Sequence, residues 1–322
     1  MSIRQESFSR ARLTDLLAFV SSNAARRMPD LTYLMPGDIC WRLPGSAPKD
    51  NLALFYDEVG LAGYVWFEPG TDIEIDLRWN LDYGHPVTAV MLDWAEAARR
   101  KLAPAYPRFV DLDSMDAWAR EILAPERNDD CSDRWLTAIA FESDEERIRF
   151  LTDAGFEATR HFAPYYRLDL AGEIPASGLE EHMKLRAVTE DDIDDRVELH
   201  RAAWLGSGFD RARYEQIRAM PEYQSALDIV LETADGFASY CICWENREAS
   251  LGSFEPVGTS PAWRGKGIGR AVILEGLRRL KARGMRYAQV GTAGFNTPAQ
   301  ALYESCGFAR VDTARTYMKI VP

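Results

Sequence analysis

The feature that most constrains the fold of this chain is residues 258–272, GTSPAWRGKGIGRAV. Three glycines alternate with basic side chains, and an apolar, helix-like segment follows at once. The glycines are Gly265, Gly267 and Gly269, and the basic residues are Arg264, Lys266 and Arg270. The chain as a whole is acidic, with a formal net charge of −12. Such a local concentration of glycine and positive charge indicates a site for a small anionic group.

Three kinds of phosphate-binding turn were considered for this segment. A P-loop needs Ser or Thr after its Gly-Lys pair, but Gly267 follows Lys266. A Rossmann turn needs the spacing GxGxxG, which G-K-G-I-G-R does not provide. A strand followed by a turn of backbone N–H groups at a helix N-terminus fits, and can bind a pyrophosphate. The alternative is a purely structural turn with solvated basic residues.

Two motifs, in the correct order and spacing, resemble the GNAT superfamily of acyl-CoA-dependent N-acetyltransferases. The first, Arg/Gln-x-x-Gly-x-Gly/Ala, is met by Arg264, Gly267 and Gly269. The second, Asn-x-x-Ala-x-x-x-Tyr followed by Gly-Phe, is met by Asn296, Ala299, Tyr303, Gly307 and Phe308. The resemblance covers roughly residues 184–322.

This resemblance implies that acetyl-CoA is bound as the acyl donor. Main-chain groups of Val257, Gly258 and Thr259 would line the pantetheine arm, which pairs like an extra strand beside a splayed sheet. Asn296 would contact the cofactor from the opposite side, and Tyr303 would lie against it. The pyrophosphate would be held by Arg264, Gly265, Lys266, Gly267, Ile268, Gly269 and Arg270.

Acetyl transfer to an amine needs a neutral nitrogen, a polarised thioester and a proton for the departing thiolate. Tyr303 stands where the family's general-acid tyrosine stands, although it could instead be a packing residue. Glu255 is the candidate base, or the residue that holds a water that relays the proton. The more common family position for this glutamate corresponds to Ser253, two residues earlier on the same strand face. A structural carboxylate, or one that binds a cationic acceptor, is the alternative for Glu255.

The predicted fold class is α+β (an α/β sandwich-like arrangement), as two tandem GNAT domains, each with a mixed, mostly antiparallel twisted sheet and flanking helices. Residues 1–172 would form the first domain, 173–183 a linker, and 184–322 the catalytic domain. The linker carries Pro175, Ser177 and Gly178 between two strand-like runs.

An internal repeat supports the tandem arrangement. When Trp135 is aligned on Tyr287, Gly155-Phe156 falls on Gly307-Phe308 without a gap. The first half nevertheless lacks a competent turn: LDYGHPV has one glycine, places Asp82 where a cation would help, and contains Pro86, which has no N–H donor. We therefore expect a degenerate first copy, kept for structure or for shaping the acceptor site.

Other residues serve to exclude classes of function. A pI near 5.0 argues against a nucleic-acid partner, and no uninterrupted apolar run is long enough for a membrane span. The scattered histidines and cysteines lack metal-type spacing, so no metal is expected, and the cysteines are expected to be buried reduced thiols in a cytoplasmic protein. The first twenty residues favour an amphipathic helix over a secretory signal.

Two further groups of side chains were assigned from their surroundings in the sequence. Asp192, Asp194 and Asp195 are expected to form a solvated helix face. The core or the acceptor side of the site should hold the aromatic residues Trp204, Phe209, Tyr240 and Trp244.

The sequence thus predicts an N-acetyltransferase that moves the acetyl group of acetyl-CoA to a primary amine of a small molecule, and leaves the oligomeric state open. One alternative is a non-catalytic coenzyme A-binding sensor or docking module, but a mere binder needs no thiolate acid such as Tyr303. A protein or peptide N-acetyltransferase is the other alternative. Family members that act on ribosomal-protein N-termini often carry a glutamate five residues before the motif asparagine, where this chain has Gly291.

Overall fold

A computed structural model describes residues 2–28, 33–45, 50–67, 72–102 and 135–321. The described part of the first half contains six strands and four α-helices. The strands are β1 (Arg4–Ser7), β2 (Leu52–Tyr56), β3 (Leu61–Phe67), β4 (Asp72–Leu77), β5 (Trp135–Phe141) and β6 (Glu157–Asp169). The helices are α1 (Leu13–Arg27), α2 (Pro36–Arg42), α3 (Val87–Leu102) and α4 (Glu145–Asp153).

The second half repeats this inventory. Its strands are β7 (Lys184–Ala187), β8 (Asp228–Thr233), β9 (Gly236–Asn246), β10 (Leu251–Thr259), β11 (Tyr287–Gly291) and β12 (Ala309–Ile320). Its helices are α5 (Ile193–Ala203), α6 (Arg211–Arg218), α7 (Ile268–Ala282) and α8 (Thr297–Ser305). Residues 173–183, the predicted linker, connect β6 to β7 without a helix or strand.

All twelve described strands lie in one sheet, in the order β1-β2-β3-β4-β5-β12-β6-β11-β10-β9-β8-β7. Two neighbouring pairs, β4–β5 and β10–β11, are parallel, and the others are antiparallel. The predicted α+β class with a mixed, mostly antiparallel sheet is confirmed.

The two halves exchange their last strands. The last strand of the second half, β12, pairs with β5 along 314–320 and with β6. In turn β6, the last strand of the first half, pairs with β11, which places Tyr165 opposite Gly291. Because each last strand completes the sheet beside the other half, side chains of β6 lie at the edge of the second half's site.

The internal repeat is visible element by element. Helices α4 and α8 occupy equivalent positions, and each begins with a side chain that caps it: Asp144 accepts from the Arg147 N–H at 3.0 Å, and Asn296 from the Ala299 N–H at 3.3 Å. Each helix is followed by a glycine in the left-handed region, Gly155 at φ +84° and Gly307 at φ +96°.

Helices α1 and α2 of the first half share a hydrophobic core with the second half. Buried Leu16 and Val20 of α1 belong to the same cluster as Trp244 of β9, as the amphipathic pattern of α1 predicts. Gly37 of α2 lies directly against the Trp244 ring, where an added Cβ would come within 2.3 Å of ring atom Cγ. Only glycine allows α2 to pack this closely, and this contact fixes α2 beside the strands that form the site.

One expectation about the exposure of acidic side chains was wrong. Asp194 and Asp195 are exposed, but Asp192 is buried. Its carboxylate pairs with Arg186 at 2.6 Å and accepts the Thr189 N–H at 2.8 Å, which holds its pKa well below the usual range. Asp192 closes a capping box with Thr189, so it belongs to the turn before α5 and not to the exposed face of the helix.

Two expectations about residue classes can be checked in the described ranges. Cys40, Cys241, Cys243 and Cys306 are free and buried, as predicted, whereas Cys131 lies outside the described residues. None of the helices that the structure describes is long and apolar enough to cross a membrane.

Candidate functional site

The site lies where two parallel strands of the second half separate. Strands β10 and β11 pair only through residues 251–253 and 287–289. Beyond Ser253, β10 bulges between Phe254 and Val257 relative to β9, with Pro256 inside the bulge. A bulge bends its strand and proline removes a ladder donor, so β10 turns away from β11. The bulge is held by Trp244, whose Nε1–H donates to the Glu255 carbonyl at 2.6 Å.

A cavity of about 1400 Å³ opens from this fork. One end reaches the glycine-rich turn before α7, and the other reaches α2 of the first half. Its lining includes all the predicted site residues except Lys266, and it adds residues from the first half: Tyr33, Met35, Asp38, Trp41, Arg42, Ala163 and Tyr165. Lys266 is exposed beside the cavity, with its ammonium 4.7 Å from the Trp263 ring centre.

The turn has the backbone geometry that its glycines predict. Gly265 and Gly267 adopt φ values of +74° and +78°, and Gly267 is the N-cap of α7. Residues that carry a side chain rarely adopt this left-handed backbone conformation, so the turn requires glycine at these positions. Ile268 is buried at the first position of α7. The N-terminus of a fifteen-residue helix therefore points its free N–H groups toward the cavity end.

The basic side chains around the turn lie beside the helix N-terminus. The Arg264 Nη2 donates to the Ala203 carbonyl of α5 at 3.0 Å, and the Arg270 Nε donates to the Ser305 carbonyl at 3.1 Å. Within the described ranges, neither Lys266 nor Arg270 forms an ion pair with a carboxylate. Both charges are thus available to an anion at the turn.

The main chain from Val257 to Thr259 has one paired edge and one edge toward the fork. It pairs with β9 on one side, where the Ser239 hydroxyl also donates to the Gly258 carbonyl at 2.9 Å. No β11 pairing reaches these residues. A Cβ on Gly258 would come within 2.5 Å of the Tyr240 ring, which explains the glycine. The free edge suits an extended ligand with amide groups.

Tyr303 and Asn296 come from α8, on the other side of the fork. The Tyr303 ring is buried between Tyr166 and Phe308, and its hydroxyl has no hydrogen-bond partner among the described residues. Burial raises the pKa of Tyr303 above its ordinary value, so the hydroxyl keeps its proton at neutral pH. Asn296 is the N-cap of α8 and also lines the cavity.

Glu255 lies toward the α2 end of the cavity, with 27% of its side chain exposed. The pKa of Glu255 is raised to about 8, mainly by burial in the cleft; Arg42 opposes this rise and Asp38 adds to it. Arg42 contacts both Glu255 oxygens, at 3.3 and 3.5 Å, and reaches Glu74 of β4 at 3.3 Å. This network of charges crosses from one half to the other.

The four aromatic residues singled out from the sequence divide between core and cavity. Phe209, Tyr240 and Trp244 are buried in the core, whereas Trp204 is 47% exposed and lines the cavity. The sequence missed the neighbouring His200, whose Nδ1 lies 2.6 Å from the Tyr240 hydroxyl. Burial, reinforced by Arg196, lowers the pKa of His200 to about 3, so its ring is neutral.

The first half also has a fork between two parallel strands, but this fork is filled. Strands β4 and β5 pair only at Asp72–Thr137 and Ile73–Ala138 and then separate. The buried Arg147 donates from Nη1 to the Ile75 carbonyl at 2.6 Å and from Nε to the Ile139 carbonyl at 2.7 Å. Its guanidinium thus ties together the two strands, and no space for a pantetheine arm is left between these carbonyls.

The turn of the first half is occupied as well. Asp82 accepts the Gly84 N–H at 2.9 Å, and His85 Nδ1 accepts the Val87 N–H at 3.2 Å at the start of α3. Because the chain's own side chains use these donors, the N-terminus of α3 offers little to a phosphate.

Within the described residues, no group of three or more His, Cys, Asp or Glu side chains is arranged to hold a metal ion. The site residues that sequence reasoning missed, Asp38, Arg42, Tyr165 and His200, come from segments without a recognisable motif. Their place in the site follows from the packing of α2 and β6 against the second half.

Comparison with known proteins finds a family match in the second half of the chain. Residues 193–308 match the sequence model of the Acetyltransferase (GNAT) family. A mycothiol acetyltransferase of Kineococcus radiotolerans is 36% identical over 99 residues, which is 31% of this chain and 32% of the relative. A second, of Renibacterium salmoninarum, is 28% identical over 181 residues, 51% of this chain and 52% of the relative. The chain thus spans about a third to a half of the length of these relatives.

A solved structure described as a tandem GNAT protein from the clavulanic acid biosynthesis pathway matches the whole architecture. It superposes with a TM-score of 0.62 at 13% identity, over 100% of this chain and 99% of its own. At this identity the match establishes the fold, with two GNAT-like halves in one chain.

Proposed function

Because residues 193–308 form a domain of the Acetyltransferase (GNAT) family, we propose that this chain transfers the acetyl group of acetyl-CoA to a primary amine of a small molecule. The observation that carries the proposal is the cavity itself. A glycine-rich helix N-terminus with basic side chains beside it lies at one end, and Tyr303 and Glu255 line the part where the strands diverge.

The residues fit acetyl-CoA in three places. The turn from Arg264 to Arg270 offers N–H groups and positive charge to the pyrophosphate. The free edge of 257–259 offers main-chain hydrogen bonds to the pantetheine arm. Asn296 lines the opposite wall. Together these contacts would direct the thioester toward Tyr303 and Glu255.

The proposed chemistry uses one acid and one base. Glu255 accepts a proton from the acceptor ammonium, directly or through a water, and the neutral nitrogen attacks the thioester carbon. A C–N bond forms as the C–S bond breaks, and Tyr303 gives its proton to the leaving thiolate. The nitrogen then loses its second proton, which restores the proton on Tyr303. The raised pKa of each group suits its role, because Tyr303 keeps a proton to donate and Glu255 is basic enough to accept one.

A small-molecule acceptor is favoured over a peptide by the surroundings of Gly291. The Tyr165 ring of β6 lies against Gly291, where an added Cβ would come within 3.0 Å of Tyr165 Cζ. No glutamate side chain can be placed at this position without moving the ring. The name of the curated relatives makes the unacetylated form of mycothiol one of the amines to be tested.

The test is release of free thiol from acetyl-CoA across a panel of amines: alkylamines, glucosamine, the unacetylated form of mycothiol, and peptides with a free N-terminus. We expect release with at least one small amine and none with the peptides. Binding of acetyl-CoA without thiol release for any amine would support the non-catalytic coenzyme A binder instead.

Glu255→Gln should lower kcat/KM by about 10²-fold below pH 8. The assay uses an alkylamine with a pKa near that of lysine, about 10.4. For the native chain, kcat/KM should rise with pH and level off above about 8, as Glu255 loses its proton. In Glu255→Gln, kcat/KM should keep rising beyond pH 9 as the fraction of free amine increases. The difference in kcat/KM between the variant and the native chain should therefore narrow. Parallel pH profiles would instead make Glu255 a positioning residue.

The chain should bind one equivalent of acetyl-CoA, measured by titration calorimetry. The second half has an open fork and a glycine-rich turn, whereas Arg147 fills the fork of the first half. Two equivalent sites in the isotherm would show that Arg147 can leave its carbonyl partners, and would contradict a degenerate first half.

A further inference from the structure

The acceptor end of the cavity is built from both halves of the chain. Glu255 comes from β10 of the second half, whereas Asp38 and Arg42 come from α2, and Glu74 from β4, of the first. Helix α2 is held in place by the contact of Gly37 with Trp244 and by the Asp38 carboxylate, whose Oδ2 accepts the Met35 N–H at 2.6 Å. Asp38 and Arg42 are thus fixed beside Glu255.

Asp38 and Glu255 both line this end of the cavity, and the Asp38 carboxyl raises the pKa of Glu255. Two carboxylates close together repel each other when both are ionised, so a cation placed between them is stabilised. Arg42 lies against the same Glu255 oxygens at 3.3 and 3.5 Å, longer than the 2.6 Å contact of Arg186 with Asp192. The carboxyl pair is thus only loosely neutralised by Arg42.

A separate observation indicates that a donor is missing at this place. The Ser253 hydroxyl is buried, with 7% of the residue exposed, and has no hydrogen-bond partner among the described residues. It lines the cavity two residues before Glu255 on the same strand. A buried hydroxyl without a partner is costly, and a ligand with several N–H groups would satisfy it.

We propose that the ammonium group of the acceptor binds between the carboxylates of Asp38 and Glu255, and donates its remaining N–H to Ser253. This inference rests on the proposed function and names its acceptor as a primary amine that binds as a cation. An ammonium has three donors, enough for both carboxylates and the hydroxyl. Arg42 is a positioning residue that opposes the rise in the pKa of Glu255.

The proton balance is closed. When the ammonium binds, Glu255 releases its proton to solvent, because a cation beside two carboxylates favours their ionised forms. In the reaction the ammonium gives one proton to Glu255, and its nitrogen becomes neutral for attack. After attack the nitrogen loses its second proton, which replaces the proton that Tyr303 gives to the thiolate. The other groups that face Glu255 are Glu74 of β4, Tyr165 of β6 and Tyr303 of α8. Both tyrosines keep their protons at neutral pH because burial raises their pKa values, and Glu74 contacts Arg42.

The experiment is NMR titration of Glu255 in the full chain with ¹³C-labelled glutamate carboxyls, its signal assigned by its loss in Glu255→Gln. We expect a pKa near 8 in the native chain, since burial and Asp38 both raise it. In Asp38→Asn the pKa should fall, because the second carboxyl is gone. In Arg42→Met it should rise, because the opposing cation is gone, and Arg42→Lys should restore the native value. If Asp38→Asn and Arg42→Met shift the pKa of Glu255 in the same direction, or do not shift it, the proposal is overturned.

Steady-state kinetics with the most reactive amine of the panel supply a second readout. Asp38→Asn should raise KM for the amine by about tenfold or more, the worth of one lost charge-assisted hydrogen bond, with a smaller change in kcat. Ser253→Ala should raise KM by a smaller factor. Asp15→Asn on the exposed face of α1 is the matched control, and should change neither KM nor the titration of Glu255.

The two readouts separate the inference from the function on which it rests. If the native chain releases no thiol with any amine, but Asp38→Asn and Arg42→Met shift the pKa of Glu255 in opposite directions, acetyl transfer is refuted. The interaction between Asp38 and Glu255 is then still supported. Thiol release with an unchanged KM in Asp38→Asn would uphold acetyl transfer and refute recognition of the ammonium by Asp38.

Discussion

Gly267→Asp is expected to abolish acetyl-CoA binding, raising Kd by about 10³-fold or more. Gly267 adopts φ +78° at the N-cap of α7, where a side chain costs about 1–2 kcal/mol of backbone strain. The aspartate would also place a negative charge where the pyrophosphate must bind, and like charges in contact cost several kcal/mol. The strain lowers stability in the free and the bound protein alike, whereas the repulsion acts on Kd, and each 1.4 kcal/mol of it is a factor of ten. Titration calorimetry measures the change.

Two controls separate the causes. Gly284→Asp introduces the same side chain at another left-handed glycine, φ +89°, exposed just after the C-terminal end of α7. It should lower stability while leaving Kd unchanged. Gly267→Asn keeps the side chain without its charge, in a residue that tolerates this conformation, and should lose less affinity than Gly267→Asp. Native affinity in Gly267→Asp would mean that the turn does not hold the cofactor.

The turn could be predicted from sequence because its geometry is local. Left-handed backbone selects glycine, and the N-cap selects a short polar side chain, so Gly267 and Asn296 mark the starts of α7 and α8 wherever the rest of the chain lies. The repeat was readable for the same reason, since the two Gly-Phe pairs follow equivalent helices. Asp192 shows the limit: a run of acidic residues looks solvated until the partner, Arg186, is known.

The exchange of β6 and β12 could not be predicted in this way. A last strand has the same alternating pattern whether it completes its own sheet or the neighbouring one. The contributions of Tyr165, Asp38 and Arg42 to the site could not be predicted either, because each depends on contacts between residues far apart in the chain. Arg147 left a readable signal: the repeat alignment places it opposite Ala299, where a long basic side chain replaces the small residue of the motif.

The strand exchange gives the first half a role even without a cofactor of its own. Its fork is closed by Arg147, while its helix α2 and strand β6 supply one wall of the cavity in the second half. We therefore propose that the first half, through this wall, helps to determine which amine reaches the thioester.

Tyr303→Phe is expected to lower kcat by about 10²-fold or more, the usual contribution of a positioned general acid. The substitution removes one hydroxyl and keeps the ring, whose packing against Tyr166 and Phe308 should be unchanged. Because burial raises the pKa of Tyr303, the native residue stays protonated across the working range, so the loss should be the same at pH 6 and pH 9. The Kd for acetyl-CoA should change little.

The matched control for this prediction is Tyr166→Phe. Tyr166 is buried with its ring centre 6.0 Å from that of Tyr303, but its hydroxyl contacts Gln300 and Glu304 at 3.4 and 3.5 Å instead of lining the cavity. Removing that hydroxyl should leave kcat within about twofold of the native value, since it takes no part in the reaction. Steady-state thiol release by the two variants and the native chain, at saturating acetyl-CoA and amine, measures both effects. Equal kcat values in all three proteins would mean that Tyr303 is only a packing residue, and that the thiolate takes its proton from water.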